Sequence, residues 1–129
     1  QLNNRFHPLI IPDEMIYAFN IGNINKFTDI LFEEPNQGRL NGEAWHVYLN
    51  YNDTILLNEA LKWAKKSVEL KEYYYNTDTY THLLYKLKRY EQAEKMAKRA
   101  IEIAKLHNNN YSSTSALLEK IIRQKRKIE

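Results

Sequence analysis

The chain is 129 residues long with a formal net charge of +3, which suits a single domain with a core of several helices. It contains no cysteine, and this excludes disulfides, thiolate metal sites and thiol catalysis within the chain. No apolar run approaches the ~18–20 residues that a membrane-spanning helix needs, so we expect no membrane span.

Strong helix breakers are confined to the first third of the chain, where all three prolines and all three glycines lie. After an extended lead-in, the pattern predicts one helix from Pro12 to about Gly22 and a second over residues 25–33. Residues 35–38, Pro-Asn-Gln-Gly, form the strongest turn signal. We expect residues 1–41 to form degenerate leading helices.

From residue 42 to the end of the chain the apolar spacing is helical, and no alternating pattern of strand type occurs. Three consecutive tyrosines at residues 73–75 fall in a joint, ahead of a helix that Thr77 or Asp78 would cap. The predicted helices cover residues 42–51, 55–71, 77–88, 91–106 and 111–129. The sequence therefore predicts an all-α protein.

One helical phrase occurs twice between residues 57 and 105, with a period of 33 residues. Small residues at fixed helical positions allow the backbones of paired helices to approach closely. A period in the low thirties is typical of stacked helix pairs. The equivalent positions are Ala60 and Ala93, Ala64 and Ala97, Val68 and Ile101, and Leu70 and Ile103. We expect a short α-α superhelix of antiparallel helix hairpins.

Residues 80–93 read Tyr-Thr-His-Leu-Leu-Tyr-Lys-Leu-Lys-Arg-Tyr-Glu-Gln-Ala, and Ala97 and Ala100 follow. This segment resembles a tetratricopeptide repeat, in which a large, a small and a large residue are followed by a turn, an aromatic residue and three small residues. Lys88 and Lys105 depart from the turn glycine and the closing proline of that pattern. The resemblance implies a weak repeat at residues 42–76, a good repeat at residues 77–106 and a capping helix at residues 111–129.

A narrower resemblance involves residues 60–70, the tyrosine-rich joint and residues 78–80, Asp-Thr-Tyr. Together they are similar to the helical segment that follows thioredoxin-fold domains in some bacterial envelope proteins. This resemblance implies an accessory domain of an upstream thioredoxin-fold enzyme, located in the bacterial envelope or periplasm. No Cys-x-x-Cys motif is present, so redox chemistry would belong to the upstream domain.

The sequence contains no constellation that points to catalysis. The four histidines lack a second histidine at ligand spacing. Asp78 and His82 share a helix face at i, i+4 and could hold a metal or act as a general base, but a third group is missing. We favour a capping aspartate beside a surface histidine. We therefore predict no catalytic, metal or cofactor site and no enzymatic activity.

The first helices of tetratricopeptide-like hairpins line a concave groove, and tyrosine and tryptophan are favoured at interfaces. The resemblance implies that the groove residues are Trp45, Leu49, Tyr75, Asp78, His82, Tyr85 and Lys86, followed by Ser112, Ala116 and Glu119 in the last helix. We expect a non-enzymatic interaction or scaffold module that binds a protein segment or an attached domain, as part of a larger protein. The alternative that Trp45 and Tyr75 pack between hairpins stays open.

Charge is distributed unevenly along the chain. Residues 1–61 hold three basic and eight acidic side chains, whereas residues 62–129 hold sixteen and eight. The basic cluster at residues 123–127 suits nucleic acid or an anionic surface, which remains an alternative function. No aromatic residue follows Tyr111 to stack on bases, and this disfavours nucleic acid. A clamp for a peptide carboxylate is also disfavoured, because Lys86 is the one cation among the predicted groove residues.

Overall fold

The structure is a computed structural model that describes residues 21–128. Its six helices pack against one another, and no strand occurs within that range, so the all-α prediction is confirmed. The helix expected from Pro12 falls almost entirely outside the described residues. The helices are α1 (Ile21–Glu33), α2 (Gln37–Asn50), α3 (Thr54–Leu70), α4 (Tyr74–Lys86), α5 (Tyr90–Leu106) and α6 (Ser112–Ile128).

The boundaries of α1 and α2 differ from the expectation. α1 includes Gly22 and Asn23, where a helix end was expected. α2 begins at Gln37 instead of residue 42, because the side-chain oxygen of Asn36 accepts a hydrogen bond from the Arg39 N–H at 2.9 Å. Such a bond satisfies one of the N–H groups that a helix start leaves unpaired. The asparagine of the turn signal is therefore a helix cap.

The joint between α3 and α4 is also shorter than expected. α4 begins at Tyr74, because Asn76 Oδ1 accepts a hydrogen bond from the Tyr73 N–H at 2.8 Å and stabilises the first turn. The prediction that Thr77 or Asp78 caps this helix is wrong, since both lie inside it. Two of the three consecutive tyrosines belong to the first turn of α4.

Contacts between helix ends define the direction of the first three helices after α1. Ser67, near the end of α3, donates to the Gln37 carbonyl at the start of α2 at 2.7 Å, so α2 and α3 are antiparallel. The Tyr75 hydroxyl at the start of α4 donates to Gln37 Oε1 at 2.8 Å. At the opposite end, Lys86 Nζ donates to the Tyr51 carbonyl at 2.8 Å. α2 and α4 therefore run parallel.

The same alternation continues to the end of the described chain. Lys125, late in α6, pairs with Glu91 at the start of α5 at 2.7 Å, so these helices are antiparallel. Thr114, early in α6, donates to Asp78 Oδ1 in α4 at 2.6 Å, so α4 and α6 are parallel. α3 packs against α2 and α4, and α5 packs against α4 and α6. α2, α4 and α6 thus form one layer of parallel helices.

Small residues lie where α3 and α5 meet this layer. The alanines of the repeated phrase have no exposed surface, so the helices that carry them can pack closely. Leu83 and Leu84 of α4 are likewise fully buried. The fully buried alanines are Ala60, Ala64, Ala93, Ala97 and Ala100.

A buried chain of hydrogen bonds attaches α1 to α3. Trp63 Nε1–H donates to Thr28 Oγ1 at 2.7 Å, and the Thr28 hydroxyl donates to Glu59 Oε1 at 2.7 Å. Phe27 meets the Trp63 ring edge-on with a centroid distance of 5.5 Å. All four side chains are buried, and their polar atoms are satisfied inside the protein.

The joint between α4 and α5 contains one residue in the left-handed backbone conformation. The Arg89 N–H donates to the Leu84 carbonyl and the Lys88 N–H to the Tyr85 carbonyl, both at 2.9 Å. These two bonds define a Schellman motif, whose left-handed position favours glycine. Lys88 occupies that position with a φ of 63°. This is the position at which the tetratricopeptide pattern has its turn glycine.

Lys88→Gly is expected to raise the free energy of unfolding by about 0.5–1 kcal/mol, because glycine adopts positive φ without steric cost. Chemical denaturation with urea measures the change. Lys95→Gly, at an exposed position in the middle of α5, is the matched control and is expected to lower stability by about 1 kcal/mol. A loss of stability in both variants would contradict the assignment of backbone strain to Lys88.

Candidate interaction face on helices α2 and α4

Three aromatic rings connect α2 to α4 on the parallel layer. Trp45 and Tyr48, one helical turn apart on α2, stack with their centroids at 4.9 Å. The His82 ring from α4 meets Trp45 edge-on at 5.4 Å and Tyr48 at 5.3 Å. The two α2 rings are half-buried, and the His82 side chain is 12% exposed. We call Trp45, Tyr48 and His82 the aromatic cluster.

Lys86 directs its ammonium group into the protein. Its Nζ donates to the carbonyls of Tyr48 at 2.6 Å and Tyr51 at 2.8 Å, and lies 4.9 Å from the centroid of the Tyr48 ring. A cation at these carbonyls complements the negative end of α2. Burial lowers the pKa of Lys86. This cation therefore serves as a cap for α2.

Asp78 lies beside His82 and is anchored to α6. Asp78 Oδ1 accepts the Thr114 hydroxyl at 2.6 Å, and the Tyr74 hydroxyl lies 2.6 Å from Thr114 Oγ1. His82 Nδ1 lies 2.8 Å from the Asp78 carbonyl oxygen and 3.4 Å from its Oδ1. The aspartate therefore orients the histidine from within the helix, and the histidine is much less exposed than expected.

Burial and nearby charge also act on Tyr48. Burial raises the pKa of its hydroxyl, and the negative charge of Asp78 raises it further. The sequence-based set of groove residues did not include Tyr48. Its position three residues after Trp45, on the same face of an aromatic-rich helix, was the available signal.

The remaining predicted groove residues lie outside this cluster. Tyr75 is 44% exposed at the start of α4 and stacks on Tyr73 at 5.2 Å. Tyr85 is half-buried and contacts Tyr90 of α5 at 5.8 Å. Leu49 is 60% exposed near the end of α2. Of the seven, the structure brings Trp45, Asp78, His82 and Lys86 together.

The predicted positions on α6 line a separate recess. Its volume is about 500 Å³ and it shares no lining residue with the aromatic cluster. The recess is lined by Asn110, Tyr111, Ser112, Ser115, Ala116 and Glu119. It includes all three α6 residues that the resemblance implied, but it does not extend the cluster.

Ion pairs occupy part of the basic C-terminal cluster. Lys125 lies 2.7 Å from Glu91 and 2.6 Å from Glu94 of α5. Hydrogen bonds from Lys125 and Lys98 hold the pKa of Glu94 at about 2. Arg123, Arg126 and Lys127 are exposed. One of the four cations between residues 123 and 127 is thus committed to holding α6 on α5.

Within residues 21–128, no three potential metal ligands come together, and no helix has the length and apolar character to span a membrane. A comparison with known proteins finds no family model, no curated protein and no solved structure that matches the chain. Any functional proposal therefore depends on the geometry of the chain itself.

Proposed function

We propose that the chain is a short tetratricopeptide-like array that acts as a non-enzymatic interaction module. It binds a protein segment, or an attached domain of the same polypeptide, across α2 and α4. The observation that carries this proposal is the aromatic cluster, which bridges two parallel helices and in which Trp45 is only partly buried. Large aromatic side chains bury much area at a low entropic cost, which suits them to binding.

The arrangement of the helices supports the tetratricopeptide-like part of the proposal. In such arrays the first helices of successive hairpins run parallel and form the binding surface. α2, α4 and α6 have this relation, because Gln37 meets Tyr75 and Asp78 meets Thr114 near the starts of these helices. The fully buried alanines of α3 and α5 are the small residues that this hairpin packing requires.

Binding of nucleic acid or an anionic surface is the alternative. It would use the exposed cations Arg123, Arg126 and Lys127, since Lys125 is paired with two carboxylates. No aromatic side chain follows Tyr111 to stack on bases. The face with exposed aromatic surface lies on different helices from these cations, so we favour the protein segment.

A displayed library of random peptides, selected on the intact chain, tests the proposal. Trp45→Ala is expected to weaken the binding of the selected peptides by about tenfold or more, because truncation of an interface tryptophan typically costs at least that much affinity. Leu106→Ala is the matched control, since Leu106 is 73% exposed on α5. Circular dichroism must show that both variants remain folded.

Equal binding of the selected peptides to the wild type and to Trp45→Ala would overturn the proposed face. Salt-sensitive binding of DNA, RNA or anionic vesicles that is lost on neutralising Arg123, Arg126 and Lys127 would support the alternative instead. The two outcomes use different variants and can therefore be separated.

A further inference from the structure

Tyr48 on α2 and Tyr73, in the joint before α4, each lie beside a cation of the chain itself. Lys86 Nζ lies 4.9 Å from the Tyr48 ring centroid, and Lys71 Nζ lies 5.6 Å from that of Tyr73. An aromatic ring attracts a cation through its quadrupole, and tryptophan does so most strongly. Trp45 has no such cation among residues 21–128, although part of its surface is exposed.

The geometry of Trp45 limits how a ligand can approach it. One face of its indole stacks on Tyr48 at 4.9 Å, and the edge-on contact with His82 holds the ring from the α4 side. Trp45 is nevertheless only partly buried, so a ligand can reach part of its surface. A guanidinium is planar and stacks on aromatic faces, whereas an ammonium does not.

Two charged side chains lie beside the cluster, the Asp78 carboxylate and the Lys86 ammonium. The Asp78 carboxylate adjoins His82, and its side chain is 18% exposed. The nearby Lys86 ammonium is turned towards the Tyr48 and Tyr51 carbonyls, which offset its charge. A cation that approaches the cluster therefore finds a counter-charge, whereas an anion finds a carboxylate.

We propose that the aromatic cluster receives an arginine side chain of the bound segment, with the guanidinium stacked on Trp45 and Asp78 as its counter-charge. This inference depends on the proposed function and names the chemistry of the partner. Arginine fits better than lysine because it combines a flat surface for stacking with paired donors for a carboxylate.

Titration of the intact chain with N-acetyl-arginine amide, followed through the two tryptophan indole N–H signals, tests the inference. The Trp45 signal is expected to shift and saturate, while the signal of the fully buried Trp63 stays unchanged. The uncharged isostere N-acetyl-citrulline amide is expected to bind about threefold to tenfold more weakly, as loss of a cation–π contact and of a charge pair predicts. N-acetyl-glutamate amide is expected to produce no shift.

Asp78→Asn is expected to reduce arginine binding to the level of citrulline, because it removes the charge and keeps an oxygen that can accept from Thr114. Glu69→Gln is the matched control, since Glu69 is an exposed carboxylate on α3. Equal binding of arginine and citrulline, unchanged binding after Asp78→Asn, or the absence of any Trp45 shift would each overturn the inference. If the selected peptides still bind more weakly to Trp45→Ala in these cases, the proposed function stands and only the arginine inference fails. If they bind Trp45→Ala and the wild type equally, both the proposed function and the inference fail.

Discussion

Replacing Trp63 with alanine is expected to lower the free energy of unfolding by about 3–5 kcal/mol, the usual cost of removing a buried tryptophan. Its side chain has no exposed surface and contacts Phe27 edge-on at 5.5 Å. Alanine would leave a cavity between α1 and α3, and it would remove the donor that reaches Thr28 at 2.7 Å. Urea denaturation followed by circular dichroism measures the loss.

Two further variants separate the contributions of volume and hydrogen bonding. Trp63→Phe keeps most of the apolar volume and removes the Nε1–H group, so we expect a smaller loss of about 1–3 kcal/mol. Trp45→Ala is the control for removal of a tryptophan, because Trp45 is partly exposed on α2. Equal losses for Trp63→Ala and Trp45→Ala would contradict the role of Trp63 in attaching α1 to the rest of the protein.

The close packing of α3 and α5 could be predicted, because the preference of alanine for helices and the need for small residues at helix contacts favour the same residue type there. Alanine favours helix formation and also permits close packing, so its recurrence at Ala60, Ala64, Ala93 and Ala97 is informative at both levels. All four side chains are fully buried. The repeated phrase was therefore a reliable signal for helices that pack through small residues.

Helix starts were less predictable because the same residue types form turns and caps. Asparagine bonds to nearby backbone groups in both settings, so Asn36 in a proline-containing segment resembled a turn. The side chain instead caps α2. Asn76 has the same effect from inside α4, where its bond to the Tyr73 N–H moves the helix start ahead of Thr77.

The candidate face depended on contacts that periodicity within one helix does not encode. Lys86 meets carbonyls of Tyr48 and Tyr51, which lie 38 and 35 residues earlier in the chain. Thr114 meets Asp78 across 36 residues. These pairings depend on how far α2, α4 and α6 are shifted along their axes relative to one another. That shift follows from the packing of the whole layer. The sequence could indicate the face of each helix but not which side chains would meet across it.

Ala97→Leu is expected to lower the free energy of unfolding by about 1–3 kcal/mol, because a leucine overfills a closely packed contact. Ala97 has no exposed surface, and α5 packs against both α4 and α6. The larger side chain must push one of these helices away or adopt a strained rotamer. The variant is expected to unfold at a lower temperature and at a lower urea concentration than the wild type.

Ala116→Leu adds the same atoms at an exposed position of α6 and is expected to change stability by no more than about 0.5 kcal/mol. Leucine and alanine have similar helix propensities, so the difference between the two variants measures the space available at Ala97. Equal unfolding free energies for the two variants would mean that α5 does not approach its neighbours closely at this position. The packing basis for a tetratricopeptide-like hairpin would then be lost, whatever the partner of the aromatic cluster.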